Sequence, residues 1–490
     1  MREKNWMKRI LWLFCFLSLW LVFSFLANYF LDPDFGWQLK TGEWIWQNKT
    51  VPQKDLFSYT MPDYPWLAHS WLTDVLIYLG YSRIGYWSLA IVGGLLGAMA
   101  FMCQALPKKI YYFLGPLILA ALASFDFISV RPKMISYFLA VLVYFAIKKS
   151  YQDLKWLILL PLIFWAWANL HAGFSLGLII LLIAAGVDIY FLVKRQKKVI
   201  GHLSLVLIAL VISLAAIMAN PYQEAIYRLI FEEMIQGQKI HYYISEWLPY
   251  SSFNFAMIIY TGIFWALLFV FKEKGTIFEK VTALTFFIVG FLSRRLMIYF
   301  FLFTLPLLSS YIEDFFRLMV QKKVFKKINN WQFWLGIAGL FLVIFSFKDQ
   351  LASLDRFKEE SFYPTKAITF LKEEKIEGNL FSVYSWGGYL IWKHPEKKVF
   401  GDGRMAIWEQ NDYSAFREEI EIFTGKKDFR KIFEKHQVTH ILIPAPKKSL
   451  ASLVSGFLKR DDDIFSLREE LLLAGWQVAY QDKLAVVFVK

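Results

Sequence analysis

The chain has 490 residues, of which 57% are hydrophobic and 19% aromatic, and it carries a formal net charge of +14. This composition is too apolar for a soluble globular protein, and apolar windows near the roughly 20 residues that span a bilayer recur along the sequence. The two cysteines, Cys15 and Cys103, both lie in apolar runs, so the sequence supports neither a disulfide framework nor a cysteine metal site. These features indicate a polytopic membrane protein.

The first predicted element is a long apolar run that follows a basic start and ends near Leu31. A signal peptide has a shorter apolar region followed by a small-residue cleavage site, and no such site follows here. We therefore expect a retained first transmembrane helix.

The distribution of lysine and arginine predicts the topology. The apolar runs fit about 11 spans. If the N-terminus is cytoplasmic, every strongly basic loop is also cytoplasmic, as the positive-inside rule requires; these loops include residues 108–109, 148–155, 194–198, 272–280 and 317–327. The net positive charge then belongs to cytoplasmic loops facing anionic lipid, and it gives no support for nucleic acid as a partner.

The same topology places three segments outside: the first loop at residues 31–86, a loop at 220–252, and everything after residue 347. We predict a transmembrane domain at residues 1–347 and an extracytoplasmic α/β domain at residues 348–490, which is long enough for its own core. Within the second domain, the patterns predict helices at 363–375 and 428–437 and strands at 379–384, 397–402, 438–444 and 484–490.

The first outer loop opens with the sequence FLDPDFGWQLKTGEWIWQ, residues 30–47. Asp32 and Asp34 follow the first span directly, and a short tryptophan-rich helix comes next, whose rings suit the headgroup layer. An aspartate before a helix is often its N-cap, so a cap combined with a solvated loop charge is one interpretation of this pair. The other interpretation is a catalytic carboxylate at the membrane surface.

Basic residues at outer span ends need a different explanation from the cytoplasmic lysines. Arg131, Arg294 and Arg295 occupy such positions, where the positive-inside rule gives no reason for a cation. Arginine is well shaped for bidentate contact with phosphate, so all three are candidate phosphate ligands. The alternative is that each side chain extends to lipid phosphate and serves only as an anchor.

Other polar residues are candidates for contact with sugar hydroxyls. His171 and Asn169 lie at an outer span end, His69 lies in the first loop, and Glu246 lies in the loop at 220–252. A single histidine in such a place is more often a packed, hydrogen-bonded residue. No spacing of histidines or carboxylates is a metal signature, so the sequence establishes no cofactor and leaves a divalent cation open.

The C-terminal segment contains the sequence YSWGGYLIWKHPEKKVFGDGR, residues 384–404. We expect a strand, a Gly-Gly pair and a second strand that ends at Asp402 and Arg404. This arrangement would set Trp386 and Tyr389 near a polar loop suited to acceptor binding. The alternative is that the glycines only allow a turn or a close backbone approach.

Taken together, these features resemble the C-type (GT-C) membrane glycosyltransferases. More closely, residues 32–71 resemble the first outer loop of a bacterial family of largely uncharacterised GT-C-like proteins. The segments SVRPKMIS, WANLHAG, NPY, SEW, SRRLMIYFFLFTLP and the 384–404 motif extend the resemblance over most of the chain. The last motif also distantly resembles the WWDYG motif of the oligosaccharyltransferase catalytic subunit, with Gly387 where the motif has aspartate. Two further departures are Gln38 in place of a family histidine and Ser70 in place of a glutamate.

The resemblance implies an inverting transfer of sugar from a polyprenyl-phosphate donor to a glycan, lipid or protein acceptor of the cell envelope. In such enzymes the first outer loop supplies a carboxylate base, which here is Asp34, with Asp32 as a second or orienting carboxylate. Basic residues would hold the leaving phosphate. The implied location is the outer face of a bacterial cytoplasmic membrane, in contact with membrane lipids. The rival functions are a transporter or flippase of a lipid-linked glycan, and a catalytically silent assembly protein.

Overall fold

The computed structural model describes residues 2–105, 110–240, 243–244, 247, 255–321, 359–445 and 467–490. The chain divides into two compact units. The first comprises Met1–Phe30, Arg83–Ile230 and His241–Asp355, and the second comprises Leu31–Ser82, Phe231–Ile240 and Arg356–Lys490. The acidic first loop and the C-terminal segment therefore share one unit.

Helices form most of the described chain. In order they are α1 (Arg2–Tyr29), α2 (Phe35–Asn48), α3 (Trp71–Ile84), α4 (Tyr86–Met102), α5 (Ile110–Ala123), α6 (Lys133–Ser150), α7 (Leu159–Leu170), α8 (Phe174–Val193), α9 (Ile200–Ile217), α10 (Ala225–Ile240), α11 (Phe255–Val270), α12 (Ile277–Leu292), α13 (Met297–Gln321), α14 (Glu359–Phe362), α15 (Thr365–Glu373), α16 (Tyr384–Lys393), α17 (Ala415–Phe423), α18 (Phe429–Lys435) and α19 (467–473).

Four segments of the described chain are helical, long and apolar enough to cross a membrane: Trp6–Tyr29, Phe174–Val193, Lys197–Ile217 and Arg294–Met319. Shorter apolar helices lie at Tyr86–Met102, Ile110–Ala123, Leu154–Leu170 and Phe255–Val270. The predicted span at residues 331–347 falls outside the described residues, so the count of about 11 spans stays a prediction.

One cluster of buried polar side chains in the first unit is held by hydrogen bonds, which lowers the cost of placing these groups among apolar helices. His202 Nδ1 lies 2.5 Å from Asp188 Oδ2, and His202 Nε2 lies 2.7 Å from Ser150 Oγ. These two contacts join α9 to α8 and to α6. The cluster links three helices of the first unit.

A four-stranded sheet lies in the second unit, with the strand order β1 (Asn379–Ser382), β2 (Val438–Pro444), β4 (Ala485–Val489), β3 (Gln477–Gln481). β1 pairs with β2 in parallel, and the other two pairs are antiparallel. β2 and β4 carry almost continuous apolar residues, which suits central strands buried on both faces. The predicted strands at 379–384, 438–444 and 484–490 and both predicted helices are confirmed.

The structure corrects the expected arrangement of the 384–404 motif. The Gly-Gly pair lies inside helix α16 and makes no turn between strands. The expected second strand is reduced to isolated parallel bridges of Val399 with Leu380 and with Ser58 of the first loop. The glycines allow other backbone segments to approach closely, Gly401 at Gly387 and Pro33 at Gly388, which was the structural alternative for them.

Candidate active site

Asp34 stands at the N-cap position of α2, yet its side chain makes no capping hydrogen bond. Its Oδ1 instead accepts the indole N–H of Trp37 at 3.0 Å. The carboxylate is half-buried. The capping interpretation therefore does not explain this aspartate, because its oxygen is directed to a side chain and not to the free N–H groups of the helix.

Asp32 plays a different part in the same turn. Its side chain is buried, and its Oδ1 accepts the backbone N–H of Asp34 at 3.0 Å. Its carbonyl oxygen accepts the N–H of Phe35 at 3.1 Å. Asp32 thus fixes the backbone that presents Asp34, and its orienting role in catalysis stays a prediction.

Two glycines bring α2 close to its neighbours. A Cβ on Gly36 would lie 1.9 Å from the carbonyl oxygen of Gly388 in α16, and a Cβ on Gly42 would lie 1.9 Å from that of Asp74 in α3. Any side chain at either position would force the helices apart. Helix α2 therefore packs closely against α16 and α3. Its Trp37 is buried against Trp66 and does not lie on an exposed surface.

The C-terminal motif reaches Asp34 through Gly403. A Cβ built on Gly403 would lie 2.4 Å from Asp34 Oδ1 and 3.9 Å from Trp37 Nε1. The backbone of the Asp-Gly-Arg sequence therefore covers the carboxylate from one side. Sequence reasoning chose Asp34 but missed Trp37 and Gly403 as its neighbours.

Replacing Gly403 with alanine is expected to displace the Asp34 carboxylate, because the new methyl group would overlap Oδ1. Misplacement of a reacting group by about 1 Å can cost about 10²-fold in rate, so a loss of that order is expected in a transfer assay. Gly401→Ala is the matched control, since a Cβ there meets nothing within 4 Å. Equal activity in the two variants would show that the Gly403 contact does not matter.

Arg404 holds the C-terminal motif to the first loop. Its Nη2 donates to Asp55 Oδ1 at 2.8 Å and to Asp402 Oδ2 at 2.7 Å, and its Nε donates to Asp402 Oδ1 at 2.8 Å. The Arg404 side chain is 2% exposed and both carboxylates are 0% exposed. This buried ion cluster fixes the segment that carries Gly403.

Aromatic rings surround the same guanidinium. The Arg404 Cζ lies 4.4 Å from the ring centroid of Trp66, 4.9 Å from that of Phe57 and 5.1 Å from that of Trp408. Cation–π attraction is stronger in such desolvated places. Substrate contact by Asp402 and Arg404 stays a prediction, and their burial indicates a positioning role.

A second carboxyl group, Asp74, lies behind α2. It is fully buried, its Oδ1 accepts the Ser70 hydroxyl at 3.0 Å, and its Oδ2 has no hydrogen-bond partner among the described residues. Burial, opposed by the Ser70 hydrogen bond and reinforced by the charge of Asp34, raises the pKa of Asp74 well above its usual range. The hydrogen bond from Ser70, where the family resemblance predicts glutamate, favours the ionised form of Asp74, and burial outweighs it.

Replacing Asp74 with asparagine is expected to stabilise the protein at neutral pH. The stability contributed by protonated Asp74 is complete below the unfolded-state pKa of about 3.9, and it is lost as the pH rises through the raised folded-state pKa. The variant does not lose this stability. The difference between its unfolding temperature and that of wild type should therefore increase as the pH rises from about 4.5 to 8, by about 2–4 °C for each kcal/mol of stability. Asp63→Asn, at an exposed ion pair with Lys54, is the control. Parallel pH curves for Asp74→Asn and wild type would refute an elevated pKa.

Trp386, Tyr389 and His69, the remaining predicted site residues of the second unit, differ in burial and in hydrogen bonding. Trp386 Nε1 donates to the Phe362 carbonyl at 2.9 Å, and the Tyr389 hydroxyl donates to Glu359 Oε1 at 2.6 Å. Both aromatic side chains are buried, whereas His69 is half-buried in a turn before α3. Substrate contact by these three residues stays a prediction.

In the first unit, the adjacent arginines Arg294 and Arg295 differ in their partners. Arg294 Nη2 forms an ion pair with Asp126 Oδ2, and both side chains are about a quarter exposed. Arg295 lies over the Trp247 ring, 4.5 Å from its centroid, and forms no ion pair with a described carboxylate. Arg131 follows the short helical turn Phe125–Phe127 that carries Asp126. Of the predicted phosphate ligands, Arg294 is therefore near Asp126 in space and Arg131 is near it in sequence.

His171 belongs to a hydrogen-bond chain with a definite direction. Trp167 Nε1 donates to Ser136 Oγ at 2.7 Å, Ser136 Oγ lies 2.7 Å from His171 Nδ1, and the Gly173 N–H donates to the same Nδ1 at 3.1 Å. Since Nδ1 accepts from Gly173, the serine hydroxyl must donate to it, and the neutral imidazole carries its proton on Nε2. The ring is therefore held as a donor through Nε2.

The other two candidates of the first unit are less informative. Asn169 is buried, and its side-chain amide donates to the carbonyl oxygens of Trp165 at 2.9 Å and Ala219 at 3.0 Å. Glu246 lies outside the described residues. Within the described ranges, no group of three or more His, Cys, Asp or Glu side chains is arranged to hold a metal ion.

Solved structures of similar fold give a context for this geometry. The archaeal oligosaccharyltransferase AglB from Archaeoglobus fulgidus, in complex with an inhibitory peptide and a dolichol-phosphate, superposes with a TM-score of 0.57 at 11% identity, covering 88% of this chain and 69% of that chain. ArnT from Cupriavidus metallidurans bound to undecaprenyl phosphate gives a TM-score of 0.53 at 12% identity and covers 97% of both chains. Its apo state gives 0.54 at 13% identity, covering 100% of this chain and 98% of that chain.

These likenesses show the fold. The chain shares its fold with these structures, and this is the GT-C fold that the sequence resemblance predicts. No family model and no curated protein sequence matches the chain.

Proposed function

We propose that this protein is an inverting glycosyltransferase that moves a sugar from a polyprenyl-phosphate donor to a cell-envelope acceptor. The observation that carries the proposal is the Asp34 carboxylate, which is fixed by Trp37 and Gly403 and does not cap its helix. The GT-C fold supports it, because two of the structures of similar fold were solved with a lipid phosphate bound.

The chemistry assigns one role to Asp34. As the acceptor hydroxyl attacks the anomeric carbon, Asp34 takes the hydroxyl proton, the glycosidic bond forms, and the bond from the anomeric carbon to the phosphate oxygen breaks. Polyprenyl phosphate leaves with the bonding electron pair. Attack from the face opposite the leaving group inverts the anomeric centre. Asp32 orients the base, and Gly403 and Trp37 prevent its rotation.

The leaving phosphate requires fixed positive charge, and the arginines of the first unit are proposed to supply it. We expect Arg295→Ala to weaken donor binding about tenfold or more, the usual scale for a charge-assisted hydrogen bond. Arg294→Ala should have a smaller effect because Asp126 already neutralises Arg294. Arg317→Ala, in an ion pair with Glu313, is the control. Unchanged binding of a polyprenyl-phosphate sugar in detergent by Arg295→Ala would make Arg295 a lipid anchor.

The proposed location is the bacterial cytoplasmic membrane, with residues 348–490 on the outer side. The alternating basic loops motivate this orientation. A single cysteine placed at Lys375, in a chain without Cys15 and Cys103, should react with a membrane-impermeant thiol reagent in intact spheroplasts. Labelling that requires permeabilised membranes would reverse the topology.

The acceptor is to be found by comparing envelope glycans from a deletion strain and its parent. Complementation with wild type should restore the missing sugar, and complementation with Asp34→Asn should not. An assembly protein without catalytic activity would be restored equally by both. Reconstitution with a polyprenyl-phosphate sugar in liposomes separates the transporter alternative from transfer.

A further inference from the structure

A surface groove of about 250 Å³ opens in the second unit, apart from the Asp34 carboxylate. Its lining joins α2, the first loop and the turn after α16. Leu56, Phe57 and Ile391 supply apolar surface, and Lys40, Lys397 and Lys398 supply ammonium groups. A concave apolar surface with a few convergent polar groups is the usual form of a small-ligand site.

The three ammonium groups keep hydrogen-bond donors for a ligand. Lys40 pairs with Glu43 at 2.7 Å, and Lys397 donates to the Gly378 carbonyl at 3.1 Å. Each lysine has three N–H donors, so these contacts leave others available. Lys398 is exposed and has no hydrogen bond or ion pair to any residue that the structure describes.

The acidic residue of the lining is itself engaged. Glu396 Oε1 lies 2.9 Å from His394 Nδ1 and 3.9 Å from Lys372 Nζ. Burial raises the pKa of Glu396, but a backbone hydrogen bond and the interactions with His394 and Lys372 outweigh it, so the pKa lies below its usual value. The three lining lysines still exceed the two carboxylates, Glu396 in the lining and Glu43 paired with Lys40, and the groove favours an anion.

The groove also has a physical link to Asp34. Phe57 lines the groove and lies against the Arg404 guanidinium, 4.9 Å from ring centroid to Cζ. Arg404 is the residue next to Gly403, where an added Cβ would lie 2.4 Å from Asp34 Oδ1. A molecule seated on Phe57 would therefore rest on the cluster that positions the carboxylate.

We propose that this groove binds a saccharide that carries a phosphate or carboxylate group. The carbon-bound hydrogens of a sugar ring suit an aromatic and aliphatic floor, and a phosphate or carboxylate suits clustered lysines, which act as point charges. The volume is below the usual 300–1,000 Å³ range of small-molecule pockets, which suits one sugar unit better than a long oligosaccharide. Binding of such a saccharide does not depend on the proposed function. Only the identification of the saccharide as part of the acceptor rests on that proposed function.

The test measures binding of glucose 6-phosphate, glucuronate and uncharged glucose to the purified full-length chain in neutral detergent. Both charged probes should bind more tightly than glucose, and the binding should weaken with added salt. Lys397→Gln with Lys398→Gln should raise the Kd of glucose 6-phosphate about tenfold. Lys426→Gln, at an exposed lysine of the same unit, should leave it unchanged. Equal binding of glucose, or an equal effect of the control substitution, would overturn the proposal.

A second arm distinguishes a sugar phosphate from a lipid headgroup. In nanodiscs, glucose 6-phosphate should bind equally in neutral and in phosphatidylglycerol-containing bilayers if the groove is a saccharide site. Displacement of the probe by the anionic lipid would assign the groove to headgroups and refute the saccharide. Asp34→Asn should retain probe binding, so a failure of transfer and a failure of groove binding can be told apart.

Discussion

Asp34→Asn is expected to abolish most sugar transfer while leaving the fold and donor binding intact. Removal of a general base typically costs about 10²- to 10⁴-fold in rate. The asparagine Oδ1 can still accept the Trp37 indole N–H, so the local structure should persist. A loss of kcat at unchanged donor Kd would identify an interaction needed in the transition state.

Substitutions of two other aspartates serve as controls for Asp34→Asn. Asp32→Asn retains an oxygen for the Asp34 N–H and should lower transfer much less, because Asp32 acts through the backbone. Asp63→Asn, at an exposed position in the same loop, should have no effect. Near-wild-type turnover in Asp34→Asn would show that this carboxylate is not the base.

Arg404→Met is the substitution expected to cost most stability. It leaves Asp55 and Asp402 buried without their cation, and loss of one partner from a buried ion pair typically costs about 3–5 kcal/mol. We expect a large fall in the unfolding midpoint in detergent, accompanied by loss of transfer because Gly403 is no longer held.

A surface arginine provides the comparison. Arg417 is 47% exposed and pairs with Glu409, and Arg417→Ala should cost at most about 1 kcal/mol. Adding Asp55→Asn and Asp402→Asn to Arg404→Met should recover part of the lost stability, because the carboxylates then carry no charge. A fall that neutral partners do not reverse would attribute the effect to lost packing on Phe57, Trp66 and Trp408.

Local patterns predicted the elements well where apolar periodicity was strong. The helices at Thr365–Glu373 and Phe429–Lys435 and the strand at Val438–Pro444 follow directly from their sequences. The strand at Gln477–Gln481 was missed because it is polar and largely exposed, and its place comes from pairing with β4. Its own residues hold little sign of that pairing.

The Gly-Gly pair of the 384–404 motif shows how the same residues allow two structures. Glycine weakens a helix by about 1 kcal/mol, so a turn was the simpler expectation from sequence. In the folded chain, Gly388 meets the backbone of Pro33, with a built Cβ 2.1 Å from its carbonyl oxygen. Packing against the first loop outweighs the intrinsic preference, and only the fold shows that contact.

The sequence identified one residue of the candidate site, but it did not identify the residues that surround it. The sequence placed Asp34 after the first span, and the resemblance to GT-C enzymes selected it as the candidate base. The Arg404–Asp55 ion pair joins residues 349 positions apart, and no local pattern reports such a contact. The capping interpretation was also reasonable from sequence, and the direction of one carboxylate oxygen decides against it.

The most direct test reconstitutes the purified protein in liposomes with a polyprenyl-phosphate sugar and follows the phosphorus signal over time. A glycosyltransferase given an acceptor extract from the envelope converts the donor phosphodiester into a polyprenyl phosphomonoester, and the sugar appears in the acceptor. We predict this conversion for wild type and its near absence for Asp34→Asn. Movement of intact donor across the bilayer without any phosphomonoester would contradict the account and indicate a transporter.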